Sequence, residues 1–280
     1  MAANLRTPGL VEAFAAVPRE QFLPPGPWVI RADGDMMGTL RQTPSDDPRF
    51  VHHNIAVGID PARMLFNGAP GMLGSLIDAL SLTPGARVLH VGTGAGYFTA
   101  VIAHTVGATG RVVGIEVDAE LAAKAARNLS SMPWVTVQHG DGSEPVAGPF
   151  DAILVNAGVT HPEAHWLDAL APGGRIMVPL TVAMDLGVAA HPAGAAMANI
   201  SKGIVVLLTG TDRTDQLAAR VVTFAAIYSA LGLRDETANA ELGRAMSKMA
   251  FPQLKHFRRD AHAPDAACWC HTSRGCWSTA

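Results

Sequence analysis

Three glycines at a predicted turn are the first residues whose spacing suggests ligand binding. Gly92, Gly94 and Gly96 separate an apolar run, Val88–Val91, from a helical pattern that begins at Tyr97. Glycine allows the backbone to approach a ligand closely, and the N-terminus of a helix presents free N–H groups. The spacing Gly-x-Gly-x-Gly differs from the Gly-x-Gly-x-x-Gly pattern that binds a pyrophosphate. The turn therefore favours a ligand without a pyrophosphate.

Two acidic residues end the apolar runs that follow this turn. Glu116 closes the run 112–116, where a carboxylate can accept hydrogen bonds from both hydroxyls of a ribose. Asp141 precedes Gly142 after the next run, where it can accept a hydrogen bond from an adenine amino group. Taken singly, a glycine turn, a strand-end Glu116 and a turn-capping Asp141 are each commonly structural. Because all of them lie at consecutive predicted strand ends, the sequence predicts a pocket for an adenosine without phosphate.

Short apolar runs alternate with helical patterns through the middle of the chain. The predicted strands are 88–91, 112–116, 135–138, 152–156 and 175–179, and the predicted helices are 97–105, 119–130 and 166–170. The apolar runs are solid rather than alternating, as expected for strands that are buried on both faces. Strands that alternate with helices predict an α/β fold with a doubly wound, mostly parallel sheet.

The flanking regions give weaker patterns. In the N-terminal region, helices are predicted at 10–17 and after Pro70, with irregular structure between them at 26–60. In the C-terminal region, strands are predicted at 205–208 and 221–228, followed by a helix at 235–249. The last thirty residues show no clear element. We therefore expect an N-terminal helical cap with a long loop (1–80), a nucleoside-binding core (81–180) and a C-terminal part that completes the sheet and forms a lid (181–280).

Composition excludes several classes of protein. With 280 residues, 49% hydrophobic and only 16% charged, the chain is long and apolar enough to fold and is not disordered. No apolar run approaches the roughly 20 residues that cross a membrane, and the N-terminus does not resemble a secretory signal. A net charge of −3 without a basic block argues against a nucleic-acid partner. Three cysteines predict a reducing, cytoplasmic location rather than a disulfide scaffold.

Five segments of the sequence together carry a resemblance to a known family. They are VEAFAAVPREQFLP at 11–24, VLHVGTGAGY at 88–97, GDG at 140–142, FDAILV at 150–155 and LAPGGRIMVP at 170–179. The chain resembles the protein-L-isoaspartate O-methyltransferase family within the S-adenosylmethionine-dependent methyltransferases. The similarity covers about residues 9–180, apart from 30–66, and the Val-Pro-Arg-x-x-Phe segment points to this particular family.

The resemblance implies a Rossmann-like methyltransferase sheet and S-adenosyl-L-methionine as the cofactor. Carried over to this chain, the residues that line the methionine and ribose are Gly92, Thr93, Gly94 and Gly96, with Tyr97 and Asn156 in the same pocket. Glu116 would hold the ribose, and Asp141 with Gly142 the adenine edge. The implied activity is methylation of a carboxylate on a peptide, a protein or a small molecule.

The expected acceptor loop departs from the family pattern. The family has Thr-Ile-Ser-Gln-Pro before the second helix, whereas this chain has Phe-Asn-Gly-Ala-Pro at 66–70, which we call the acceptor loop. Gly68 takes the position of the serine beside the reacting carboxylate, and Asn67 is a possible donor to the acceptor oxygen. A carboxylate is already ionised at neutral pH, so it needs no general base. We therefore place the catalytic positions at Asn67 and Gly68.

Two other functions stay open at this point. One is O- or N-methylation of a small natural product, for which the bases could be His52, His53, His161 or His165. The other is a non-catalytic nucleoside-binding module, which the loss of the family serine at Gly68 makes conceivable.

The C-terminal tail contains a cluster of soft ligands. Cys268, Cys270, His271 and Cys276 lie within nine residues and could bind zinc. The Cys-x-Cys-His spacing does not match a standard zinc knuckle. We therefore favour unconnected thiols and no stoichiometric metal, with the adjacent Trp269 and Trp277 packed over the acceptor pocket as a lid.

Overall fold

The N-terminal part of the chain forms two helices and a small antiparallel sheet. The structure is a computed structural model that describes residues 5–32, 40–183 and 200–280. The elements are α1 (Leu10–Ala16), β1 (Val29–Ala32), β2 (Arg41–Gln42), β3 (Ile55–Asp60), β4 (Leu65–Asn67) and α2 (Pro70–Ala79). The strands pair in the order β2-β1-β3-β4, and every pairing is antiparallel.

The expectation of irregular structure over 26–60 is therefore wrong for 26–32 and 40–60, whereas 33–39 lie outside the described residues. The small sheet has its own apolar cluster, in which Leu23, Trp28, Val51 and Val57 pack together. These residues come from separate short segments with no helical or alternating period between them. The apolar contacts that stabilise this sheet are thus invisible to a periodicity argument, because they form only once the chain has folded back on itself.

The middle of the chain forms the predicted parallel core. Its elements are β5 (Arg87–Val91), α3 (Tyr97–Val106), β6 (Arg111–Glu116), α4 (Ala119–Asn128), β7 (Val135–His139), β8 (Phe150–Val155), α5 (Ala164–Asp168) and β9 (Leu170–Ala183). The strands lie side by side in the order β9-β8-β5-β6-β7, with parallel pairing throughout. Side chains of β5 and β8 are buried on both faces, as a parallel sheet between helices requires. The predicted fold class is confirmed.

The remainder of the chain extends this sheet with antiparallel strands. The elements are β10 (Ile200–Gly210), β11 (Gln216–Tyr228), α6 (Glu236–Ser247), β12 (His256–Arg258), β13 (Cys268–Thr272) and β14 (Gly275–Ser278). Within the described residues the sheet has ten strands, in the order β13-β14-β12-β11-β10-β9-β8-β5-β6-β7. Asp235 caps α6 by accepting a hydrogen bond from the Ala238 N–H at 2.8 Å. Across the described part of the chain, none of the helices has the length and apolar character needed to cross a bilayer.

Two expectations for the C-terminal tail are wrong. The last thirty residues contain three short strands rather than no regular structure. Trp269 and Trp277 do not form a lid: Trp269 packs on Phe251 and Trp277 on Phe257, with ring centroids 6.4 and 4.6 Å apart. Both tryptophans are buried in the core of the extension. Strands of three to five residues carry too short a pattern for sequence analysis to detect.

Candidate active site

The glycine turn after β5 has a backbone that only glycine adopts readily. Gly92, Gly94 and Gly96 have φ values of 85°, 57° and 96°, in the left-handed region. The N–H groups of Gly92 and Thr93 donate to the Ile115 carbonyl at 2.8 and 3.1 Å, which fastens the turn to β6. Gly96 then caps the N-terminus of α3. The turn thus presents a bare backbone and a helix N-terminus at the carboxyl end of the sheet.

Glu116 ends β6 directly beside the glycine turn. Its side chain is buried, its Oε2 accepts a hydrogen bond from the Gly94 N–H at 2.6 Å, and its Oε1 accepts one from the Asp118 N–H at 3.0 Å. Burial is the main cause that raises the pKa of Glu116, and these backbone hydrogen bonds oppose it. A carboxylate has about four lone-pair sites, so both oxygens can still accept ligand hydroxyls.

Asp141 and Gly142 follow β7 at the same edge of the sheet. Asp141 Oδ1 accepts hydrogen bonds from the N–H and hydroxyl of Ser143 at 2.9 and 2.6 Å, and these lower the pKa of Asp141. Gly142 has a φ of 82°, and its carbonyl accepts a hydrogen bond from Trp166 Nε1 at 3.2 Å. The other carboxylate oxygen of Asp141 faces Gly232, where an added Cβ would lie only 2.4 Å away. The extension therefore touches Asp141, the residue predicted to bound the adenine.

Three further predicted site residues have different surroundings. Asn156 Nδ2 donates to the Gly92 carbonyl at 3.3 Å, which joins β8 to the glycine turn. Thr93 Oγ1 is buried and has no hydrogen-bond partner in the part of the chain that the structure describes. The ring of Tyr97 instead packs against Phe22 and Phe98, with centroids 5.7 and 4.9 Å away. Tyr97 thus ties α3 to the N-terminal cap.

The acceptor loop is held by Arg19, a residue that sequence analysis did not single out. Its Nε donates to Asn67 Oδ1 at 2.8 Å. Its other guanidinium nitrogens donate to the carbonyl oxygens of Val51, Ile55, Asn67 and Gly68 at 2.9–3.2 Å. One side chain therefore joins the segment before β3 to the acceptor loop. The Asn67 side chain, predicted as a donor to the acceptor, uses its carbonyl oxygen for Arg19.

Arg19 is unusually buried for a charged residue. Its side chain is 2% exposed, and burial lowers the pKa of its guanidinium to about 10, so it stays charged at neutral pH. The guanidinium carbon lies 5.7 Å from the centroid of the Tyr97 ring, a cation–π distance. The one sequence signal for this role is the Val-Pro-Arg segment, whose arginine interrupts an apolar stretch.

Gly68 packs closely against the first turn of α2 and approaches the first turn of α3. A Cβ added there would lie 3.0 Å from Leu73 Cδ2 and 4.0 Å from Phe98 Cε2. The backbone of Gly68 lies outside the left-handed region, so a side chain is sterically allowed if the end of Leu73 moves slightly. A Cβ on Gly94 would meet Ile59 Cδ1 at 3.8 Å, so β3 also borders the glycine turn. The acceptor side and the glycine turn are therefore neighbours.

Three of the four candidate histidine bases have local contacts that suit structural roles. His52 Nε2 lies 2.7 Å from Glu20 Oε2, and His165 Nε2 lies 3.1 Å from the Gly142 carbonyl. His161 is buried with its Nδ1 2.9 Å from the Thr160 hydroxyl and its Nε2 3.2 Å from a carboxylate oxygen of Glu163. The side chain of His53 is exposed.

Comparison with solved structures defines the class of fold. A protein-L-isoaspartate O-methyltransferase superposes with a TM-score of 0.62 and 23% identity, over 88% of this chain and 67% of the other. A putative protein-L-isoaspartate O-methyltransferase from Plasmodium falciparum, solved with S-adenosyl-L-homocysteine, gives a TM-score of 0.56 and 17% identity over 82% and 93% of the chains. The fold is that of a class I methyltransferase.

The sequence comparisons give the family. Residues 41–206 match the family described as protein-L-isoaspartate(D-aspartate) O-methyltransferase, and the chain belongs to it. A protein-L-isoaspartate O-methyltransferase from Aeropyrum pernix is 34% identical over 64% of this chain and 65% of its own length. Relatives with the same description from Methanopyrus kandleri and Gloeobacter violaceus are 33% and 34% identical, over 70% and 73% of their lengths. The match to this chain thus spans about two thirds of the length of these relatives.

Proposed function

We propose that the chain transfers a methyl group from S-adenosyl-L-methionine to a carboxylate of a peptide or protein. The observation that carries this proposal is the arrangement of Gly94 and Glu116. The glycine turn and the buried carboxylate are joined by a hydrogen bond at adjacent strand ends, and the turn borders Ile59 in β3, the strand that pairs with β4 at the start of the acceptor loop. Membership of the family gives independent support.

The residues present suit this cofactor. Glu116 would accept the ribose hydroxyls, and the bare backbone of Gly92 and Gly94 would lie against the methionine part. The buried Thr93 hydroxyl is available as a hydrogen-bonding group at the same place. Asp141 with Gly142 would bound the adenine. When bound, S-adenosyl-L-methionine supplies an electrophilic methyl group on a sulfonium.

The chain contributes mainly by positioning the two reactants. Arg19 fixes the backbone of the acceptor loop through its hydrogen bonds to Asn67 and Gly68. A carboxylate held beside that loop is already ionised at neutral pH and attacks without a general base. Alignment of a nucleophile with its electrophile can supply much of a rate enhancement. A mechanism without a general base is consistent with the local contacts that the rings of His52, His161 and His165 make.

The loss of the family serine at Gly68 bears on which carboxylate is accepted. A side chain at position 68 would start 3.0 Å from Leu73 Cδ2, so we infer that its absence relieves crowding in the loop and changes how a carboxylate is presented there. We include peptides, proteins and small acids among the candidate substrates. A cytoplasmic location suits this function, and the free thiols at Cys268, Cys270 and Cys276 are compatible with a reducing compartment.

The deciding experiment is incubation with labelled S-adenosyl-L-methionine and matched acceptors. An isoaspartyl peptide, the same peptide with ordinary aspartate, and a set of small acids are compared by mass spectrometry. We expect a base-labile methyl ester and a rate that is nearly flat between pH 6 and 8. A product methylated on nitrogen, or a rate that rises tenfold per pH unit, would indicate a small-molecule methyltransferase instead. Cofactor binding without any product would indicate a nucleoside-binding module.

A further inference from the structure

The C-terminal extension brings together four side chains that can bind a metal ion. They are His262, Cys268, His271 and Cys276, and one ligand atom from each lies within 4.8 Å of all the others. We propose that these residues form a structural zinc site of the Cys₂His₂ type. The site lies on the β13–β14 hairpin and the segment before it, and it is independent of the proposed methyl transfer.

The distances suit a tetrahedral ion. Zinc bonds of about 2.3 Å to sulfur and 2.0–2.1 Å to nitrogen place a sulfur and a nitrogen ligand about 3.6 Å apart at the tetrahedral angle. Cys268 Sγ lies 3.6 Å from His262 Nε2 and 4.0 Å from His271 Nδ1. The rings of His262 and His271 stand edge to face with centroids 4.8 Å apart, so both can present a nitrogen to a common centre.

Hydrogen bonds around the cluster fix the positions of two of the ligands, His262 and Cys268. His262 Nδ1 lies 2.9 Å from the Asp260 carbonyl, which it can only approach as a donor. Its proton is therefore on Nδ1, and Nε2 keeps the lone pair that a metal needs. Cys268 Sγ accepts a hydrogen bond from the Asp265 N–H and donates one to Asp265 Oδ1, both at 3.4 Å, so the position of this sulfur is fixed from the side of Asp265.

The ligand set differs from the one that the sequence suggested. A register shift between Cys268 and Cys270 in β13 separates the surroundings of the two cysteines. Cys270 is buried in the apolar core, whereas Cys268 lies beside His262 and His271. His262, which precedes the Cys-x-Cys-His segment, takes the fourth position. The unusual spacing that argued against zinc is thus a consequence of counting the wrong cysteine.

The chemistry of the set favours zinc over other ions. Two thiolates and two neutral imidazoles balance the two charges of the ion, so the partly buried complex is neutral. Binding releases the two thiol protons to solvent. All four positions are filled by side chains, which is typical of a structural rather than a catalytic site. A cavity lined by His262, His271 and Arg274 opens beside the cluster and provides a path for entry.

A zinc ion here would join separate short elements at the edge of the sheet. The strands β12, β13 and β14 are only three to five residues long and form the outer edge of the sheet. His262 belongs to the connection between β12 and β13, whereas Cys276 is in β14. A shared ion would therefore join the connection to both strands of the hairpin. Because the four ligands come together only in the folded chain, the binding free energy of the ion would stabilise the fold.

The test measures metal content in the full chain, expressed without added zinc. We expect about one zinc per chain by elemental analysis, and removal of zinc by a chelator to lower the melting temperature by about 5 °C or more. The variants Cys276→Ser and His262→Gln should lose the bound zinc. Cys270→Ala is the matched control, since Cys270 is a neighbouring cysteine outside the cluster, and it should keep the metal.

Cobalt(II) titration of the wild-type chain keeps the test decisive if a variant fails to fold. A tetrahedral site with two thiolates gives intense visible and near-ultraviolet absorption bands, and zinc should abolish them. A folded, reduced chain with no zinc and no cobalt bands would overturn the proposal. So would a Cys268–Cys276 disulfide in the chain purified under reducing conditions, or full zinc retention by both ligand variants. None of these results depends on methyl transfer.

Discussion

The two sides of the candidate active site are organised in opposite ways. On the cofactor side, neighbouring parallel strands place their ends together, and backbone N–H groups bind a buried carboxylate, as at Gly94 and Glu116. On the acceptor side, a buried cation binds backbone carbonyl groups, and Arg19 is 48 residues away from Asn67. The first arrangement is specified by glycines within one turn, whereas the second depends on a single distant side chain.

The two arrangements place different constraints on the amino-acid sequence. The glycine turn must retain its backbone conformation, because φ values of 57–96° exclude most side chains. Apart from Asn67 Oδ1, Arg19 holds the acceptor loop by backbone oxygens, so it places no demand on the side chain at position 68. Glycine at 68, where the family resemblance implies serine, is therefore compatible with the same hydrogen bonds from Arg19.

The largest effect that we expect comes from removing the cation. Arg19→Met leaves several buried carbonyl oxygens without a donor, and we expect a loss of about 3–5 kcal/mol in the free energy of unfolding. Urea denaturation measures it, with Arg49→Met as the control, because Arg49 is exposed and pairs only with its neighbour Asp47 among the described residues. A loss below about 1 kcal/mol at Arg19 would show that the two sides of the site do not differ as described.

The cofactor side is tested by changing its carboxylate. Glu116→Gln keeps the shape but removes the charge, and we expect S-adenosyl-L-homocysteine to bind about 1.5–3 kcal/mol more weakly. Isothermal titration calorimetry measures the difference, with Glu120→Gln in the adjacent helix as an exposed control. Unchanged affinity in the Glu116 variant would remove this residue from the ribose position.

A buried histidine should make the cofactor side sensitive to acid. His90, in β5, is fully buried with its Nδ1 2.9 Å from the Thr99 hydroxyl, and burial lowers its pKa from 6.5 to about 3. Below pH 6.5 the unfolded chain binds a proton that the folded chain does not. Stability should therefore fall by up to about 1.4 kcal/mol per pH unit from this residue as the pH drops toward 3.

The comparison with His90→Asn isolates this effect. Asparagine offers a group near the position of Nδ1 for Thr99 but does not titrate. We expect denaturation curves at pH 4.5–6.5 to have a shallower pH dependence in the variant than in the wild type. Equal slopes in both proteins would mean that His90 is protonated in the folded state.

The smallest effect concerns the acceptor loop itself. Gly68→Ser restores the hydroxyl of the family pattern, and one neutral hydrogen bond corresponds to a gain of roughly 2- to 10-fold in kcat/KM on isoaspartyl peptides. Gly68→Ala is the matched control, because it adds the same Cβ beside Leu73 without a hydroxyl. If serine gives no gain over alanine, the surrounding loop has diverged as well.

The parallel core could be predicted because its signals are local. Solid apolar runs such as Val88–Val91 mark strands that are buried on both faces, and the glycines after them mark a turn. Each predicted strand of this core is present, with ends shifted by a few residues. The position of Glu116 could be predicted from the same pattern, because this residue is the last one of a strand.

The rest could not be predicted because its contacts join distant segments. Arg19 binds oxygens 32–49 residues away, and nothing near it in sequence indicates which acceptors it meets. His262 lies only six residues before Cys268, but the fold of the connection between β12 and β13, which brings the two together, has no signal in the sequence. The small N-terminal sheet likewise exists through side chains, such as Trp28 and Val57, that meet only in the folded chain.

The contact between Gly232 and Asp141 limits how this chain can be recombined with its relatives. The residue at 232 has a φ of 75°, and any Cβ there would press on the carboxylate of Asp141. A chimaera that exchanges the antiparallel extension would therefore displace Asp141, the residue predicted to bound the adenine, unless it keeps glycine at the matching position. Leu233, whose Cδ1 would lie 3.4 Å from a Cβ on Gly142, adds a second requirement on the exchanged segment.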